Sequence, residues 1–149
     1  MRKITSLFLV VVTICGLMCA CQQRVPEKEY DIMVAKHINC GMTNQEEDYW
    51  SSTAYELNTN GTLVRTEKYN LSGEKETTTQ MSDEDIKEII SILKSTKLFV
   101  DDDSAVDGSI WDVKYYNEDG KVISDYHGYI YNYKKLQKLS EILKKSFSE

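Results

Sequence analysis

From Tyr30 onward the apolar positions switch between two spacings, and the switches outline the elements. Ile32, Met33, Val34 and Ala35 form a short apolar run, which predicts a buried strand reaching about residue 40. Residues 41–48 are polar and predict a loop. Residues 49–58 are rich in Tyr, Thr and Ser and include Trp50; these types fit a pleated, half-buried surface and predict a second strand. Asn58-Thr59-Asn60-Gly61 predicts a hairpin, because Asn and Gly tolerate the positive φ of tight turns, and residues 62–69 predict its return strand. Asn70-Leu71-Ser72-Gly73 turns the chain again. Residues 75–80 are polar and β-prone; they predict an edge strand whose charges guard it against aggregation.

At Ser82 the spacing changes. Ile86, Ile89, Ile90 and Leu93 recur at i, i+3, i+4 and i+7, one face of a helix that should end near residues 95–97. Ser82 suits its N-cap, and Asp83, Glu84 and Asp85 suit the positive end of its dipole. Leu98-Phe99-Val100 is expected to tuck back under the sheet, and residues 101–109 to form an acidic loop. Trp111, Val113 and Tyr115 alternate in a strand over 110–117, Asn117-Glu118-Asp119-Gly120 turns it, and residues 121–126 return. A second helix is expected over about 132–146, with Leu136, Leu139, Ile142 and Leu143 on its apolar face.

These elements predict an α+β fold: an antiparallel sheet of roughly four to six strands with two helices on one face. Two halves share the order strand, turn, strand, helix, a ββα-ββα pattern. Ile86, Ile89, Ile92 and Leu93 have the same spacing as Leu136, Leu139, Ile142 and Leu143. An internal repeat and the shared chemistry of any two hairpin-plus-helix units both account for the parallel. The layout is similar to small secreted sheet-plus-helix modules such as inhibitor-like domains, at the level of fold alone.

The N-terminus changes the picture. Met1-Arg2-Lys3 is followed by an apolar stretch through Leu7-Phe8-Leu9-Val10-Val11-Val12 and closes on Met18-Cys19-Ala20-Cys21. A basic start, an apolar middle and a small residue before the cut form an export signal. Met18-Cys19-Ala20-Cys21 resembles the lipobox of bacterial lipoproteins. The resemblance implies removal of residues 1–20, acylation of Cys21 (palmitate or a similar chain), and a home on the outer side of a membrane. A cleaved leader without lipid and an uncleaved anchor are the competing readings. The apolar stretch falls short of the about 20 residues that a spanning helix needs. Residues 21–29, with the single proline Pro26, form a tether, and residues 30–149 a single domain.

Composition narrows the chemistry. The formal net charge of −6 argues against a general nucleic-acid binder, which needs a basic footprint, and losing Arg2 and Lys3 with the leader makes the remainder more acidic. Of 4 cysteines, only Cys40 lies beyond Cys21, so the domain is expected to hold together without an internal disulfide, with Cys40 as a small buried hydrophobe. Asp101-Asp102-Asp103 with Asp107-Gly108 suggests a cation loop, but Ala105 and Val106 stand where a calcium hand needs an oxygen ligand and glycine. His37 and His127 are the only histidines; without ligand spacing they carry no metal assignment, although Asp125 and His127 would share a strand face. No catalytic residue and no cofactor is assigned: no nucleophile turn and no glycine-rich phosphate loop occurs.

Two surfaces stand out. Tyr126, Tyr129, Tyr131 and Tyr133 crowd one short segment; as a strand, it would set Tyr129, Tyr131 and Tyr133 on one side as a binding surface, whereas half-buried sheet positions also attract tyrosine. The last helix is basic within an acidic chain, with Lys134 and Lys135 in the first turn where the dipole disfavours cations, and Lys138, Lys144 and Lys145 beyond. The expected role is a non-catalytic, membrane-anchored module that binds a protein or peptide partner in the cell envelope. The alternative is a binder of a small ligand, glycan or cation.

Overall fold

The computed structural model describes residues 29–41, 44–95, 99–100, 108–131 and 133–148. Residues 1–28, on which the expected leader, Cys21 and most of the expected tether fall, and the acidic residues 101–107 lie outside the described residues. No helix among the described residues is long and apolar enough to cross a membrane.

The fold is α+β. Six antiparallel strands are β1 (Asp31–Asn39), β2 (Trp50–Asn58), β3 (Thr62–Tyr69), β4 (Gly73–Gln80), β6 (Ser109–Tyr116) and β7 (Val122–Gly128). A two-residue strand, β5 (Phe99–Val100), and two helices, α1 (Asp83–Ser95) and α2 (Lys134–Lys145), complete the described elements. The sheet order is β4-β3-β2-β1-β6-β7-β5, so β1 is central. Residues 99–100 do not tuck under the sheet; β5 joins its edge, parallel to β7 at Tyr126 and His127. An edge strand leaves backbone N–H and C=O groups unpaired, and β5 satisfies some of them.

Strand alternation builds the core. Met33, Ala35 and His37 share one side of β1, in register with Leu57, Tyr55 and Thr53 of β2 and with Tyr115, Val113 and Trp111 of β6. Met33, Ala35, Leu57 and Leu63 are fully buried in one cluster with Ile89, Ile92 and Leu93 of α1 and Leu136, Leu139 and Leu143 of α2. Burying each large side chain stabilises the fold by about 1.5–3 kcal/mol. The other side of the strands carries Lys36, Glu56 and Lys114, all exposed.

Local chemistry sets the turns and helix starts. In both predicted hairpins an asparagine side chain organises the turn. Asn58 Oδ1 accepts from the Asn60 and Thr62 amides at 3.1 and 3.2 Å; Asn117 Oδ1 accepts from Asp119 and Lys121 at 3.2 and 2.9 Å. Ser82 caps α1 as its sequence predicts: its Oγ accepts from the Asp85 amide at 3.2 Å and donates to the Asp85 carboxylate at 2.7 Å. Helix α2 starts two residues later than its sequence suggests, with Tyr133 at the cap and no side-chain cap bond.

Gly61 (φ +85°) sits where these pieces meet. A Cβ there would lie 2.6 Å from Gln80 Nε2 and 2.9 Å from Ile86 Cδ1. The Gln80 amide donates to Asn60 O at 2.8 Å and would be displaced. Gly120 also has positive φ, but nothing lies near its Cβ position. Gly61→Ala should therefore cost about 1–2 kcal/mol more than Gly120→Ala in urea unfolding. Equal losses would show that crowding at Gly61 does not limit the fold.

Candidate functional site

The tyrosine segment does not form a continuous platform. Strand β7 stops at Gly128 (φ +140°), so the residues after it leave the two-residue alternation. Tyr126 is a core residue, 1 % exposed, and its hydroxyl donates to the Tyr129 carbonyl. Tyr133 meets the Tyr126 ring edge-on with centroids 5.6 Å apart. Tyr129 and Tyr131 stack at 5.9 Å, and Tyr131, 69 % exposed, is the member of the group that stands out to solvent. Of the three tyrosines expected on one side, Tyr129 and Tyr131 stack together while the half-buried Tyr133 turns to Tyr126; the strand that would align them ends at Gly128.

The two histidines lie on opposite sides of the sheet. His37 shares the core side with Ala35. Its ring stacks on Trp111 at 4.6 Å and meets Trp50 at 4.7 Å, while Nε2 and the Ser109 hydroxyl hydrogen-bond at 2.7 Å. Burial, with the nearby Lys144 cation, lowers its pKa to about 4. Tyr55 and Phe147 extend this aromatic row, and the Arg65 guanidinium lies 4.4 Å from the centre of the Phe147 ring. His127 lies on the other side, in register with Asp112 and Lys36 across three strands, and its Nδ1 pairs with the Asp112 carboxylate. Asp125 shares that side as the alternation requires, but the carboxylate that reaches His127 comes from the neighbouring strand. Among the described residues no three His, Cys, Asp or Glu side chains converge as a metal site. Cys40 is exposed rather than buried, because it falls just past the end of β1.

The lysines of α2 have separate duties. Lys138 pairs with Glu88 of α1, and Lys144 Nζ sits 5.9 Å from the centre of the Trp111 ring. Lys134, Lys135 and Lys145 are exposed.

The feature with the clearest capacity for interaction is the β4 edge and the groove beside it. All eight residues of β4 pair with β3 without a break in register, from Thr62↔Gln80 to Tyr69↔Gly73. The β1–β2, β2–β3 and β6–β7 ladders each contain a shift in register. Among the described residues the outer edge of β4 has no neighbouring strand, whereas β5 covers part of the opposite edge. Beyond its C-terminal end a groove of about 600 Å³ opens between the helices, lined by Thr79 and Gln80 of β4, Asp85 and Glu88 of α1, and Lys138 and Glu141 of α2. The polar, β-prone composition of residues 75–80 makes the edge legible in the sequence; the groove depends on how the two helices dock.

No protein-family model matches the chain, and no curated protein matches it in sequence.

The state of His37 has a measurable consequence. The folded protein keeps it neutral down to about pH 4, while the unfolded chain takes up a proton near the ordinary value of 6.5. Between those values the unfolded state binds more protons, so this residue's contribution to stability falls as pH drops from 6.5 towards 4. His37→Phe keeps an aromatic ring in the stack and removes the titration. The stability difference between wild type and variant, from urea unfolding, should shift in the variant's favour by about 1–2 kcal/mol between pH 7.5 and 4.5. A difference that does not change with pH would refute the assignment.

Proposed function

We propose that the chain is a bacterial lipoprotein, with a leader over residues 1–20, an acylated Cys21, a short tether, and a non-catalytic extracytoplasmic domain that binds a protein or peptide in the cell envelope. In this reading both helices cover one face of the sheet, and the two hairpin-and-helix units flank β1 as a repeat. The other face and the β4 edge are left to meet the partner.

The observation that carries the binding role is the regular, unpaired edge of β4. Extended segments bind such edges through main-chain hydrogen bonds, and side-chain pockets add selectivity. Its position supports the tethered arrangement. Glu29 Oε1 accepts from the side-chain amides of Asn58 and Asn60, both at 2.7 Å, and Thr59 N donates to Tyr30 O at 3.0 Å. The chain therefore joins the domain at turn 58–61. The same turn holds the end of β4, since Met81 N donates to Gly61 O at 3.0 Å. The end of the edge and the groove lie beside the point of attachment, and a tether over 21–29 reaches at most about 30 Å. The alternative, a small-ligand or glycan binder, draws on the size of the groove, which falls in the usual range for ligand pockets.

Mass spectrometry of the native protein should find acylated Cys21 at the N-terminus, and Cys21→Ser should move the protein from the membrane to the soluble fraction. An intact Met1 would sink the lipoprotein assignment. A photo-crosslinking residue at Thr78, in cells, should give a protein adduct that the same residue at Lys94 on α1 does not. Identical adducts at the two positions, or none, would count against the edge as the binding site.

A further inference from the structure

We infer that the β4 edge takes, as an added strand, an extended segment of its partner with Lys or Arg at every second position. This inference rests on the partner-binding reading above and names the chemistry of that partner.

The two sheet edges differ in how they meet a new strand. On β7 the ladder to β6 shifts register between Tyr115 and Tyr116, and β5 already occupies the outer side at Tyr126 and His127. Bulges and covering segments are common ways of closing an edge. Among the described residues edge β4 has neither along its eight residues; its guard is the charge of Glu74, Lys75 and Glu76, which selects what can pair there. Its second half, Thr77-Thr78-Thr79-Gln80, is uncharged and β-prone.

A second copy of the chain is a poor occupant. Two β4 strands related by a two-fold axis pair antiparallel, and each residue then faces one on the same side of the strand. Lys75 could meet only Gly73, Lys75, Thr77 or Thr79. Glu74 and Glu76 could meet only each other, themselves, Thr78 or Gln80. No register sets Lys75 against a glutamate, and several set like charges together, which destabilises strand pairing.

The charge pattern instead fits a basic partner with a defined face. Glu74 and Glu76 project to one side of β4, in register with Lys68 and Thr66 of β3. Lys68 lies 3.2 Å from Glu74, and Glu76 faces the uncharged Thr66. Lys75 projects to the other side, opposite Glu67 of β3, with Thr77 and Thr79 beyond it. A partner strand would thus carry its basic residues at alternate positions, over Glu74 and Glu76, and small or polar residues between them. On the Thr79 side the groove leaves room for a longer side chain beside Glu141. The acidic balance of the whole chain favours the same class of partner.

The test uses the isotope-labelled full chain and a short synthetic peptide alternating lysine and threonine. Amide signals over residues 73–80 should move on titration. Glu76→Lys, an exposed position, should weaken binding about fivefold to tenfold. A peptide N-methylated at every residue should not bind, because neither of its edges keeps an N–H to donate to the ladder. An unchanged affinity with Glu76→Lys, equal binding of the N-methylated peptide, or no binding at all would each overturn the inference. If the Thr78 crosslinker captures a protein while the peptide fails, the partner-binding reading stands and the basic-strand inference falls. If neither gives a signal, both fall.

Discussion

The backbone at Gly61 is the constraint on which the arrangement depends. Four parts of the chain converge there: the start of the domain at Glu29 and Tyr30, the β2–β3 hairpin, the last residues of β4, and the first turn of α1. Gly61 N donates to Asn58 O at 3.1 Å, and Gly61 O accepts from Met81. The Ile86 side chain comes close enough that a side chain at position 61 would touch it. Such an approach needs a residue that combines positive φ with no Cβ, and glycine alone does so without strain. The same turn thus meets residues 29–30 and the residue that follows β4.

The central strand organises the rest. Because β1 pairs on both sides, its alternation is transmitted outward through β2 and β6. Met33 and Ala35 nucleate the buried layer, and His37 carries the same side on to Trp50 and Trp111, where the core passes into a row of rings. Lys36 begins a charged row on the opposite side that runs to Asp112 and His127. A one-residue difference in position separates a histidine held neutral among indoles from one paired with a carboxylate. The two histidines, which composition alone would combine into one site, are kept apart by the thickness of the sheet.

The helices meet the sheet with unequal local support. Helix α1 has a serine cap and an acidic first turn, and both favour its start at Ser82. Helix α2 has lysines in that turn and no side-chain cap bond, so its stability rests on Leu136, Leu139 and Leu143 in the core and on Lys138 reaching Glu88. The contact between the two helices leaves open ground at the end of β4. Asp85, Glu88, Lys138 and Glu141 line that groove, and the Lys138–Glu88 pair bridges the helices within it.

The amino-acid sequence by itself determined the strands from 31 to 80, both asparagine turns, the capped start of α1 and the apolar stripes of both helices. Each of these rests on interactions between residues close together in the chain. It also marked residues 75–80 as an edge, because their polarity suits a strand with only one neighbour. Tertiary structure alone decided that β1 lies between β2 and β6, that Phe99–Val100 joins β7, and that Cys40 is exposed. It also decided that Tyr126 is buried while Tyr131 is not, and that His127 finds Asp112. Those outcomes depend on registers between strands far apart in sequence, and on where Gly128 ends β7. No local pattern of residue types specifies which distant strand will supply the partner.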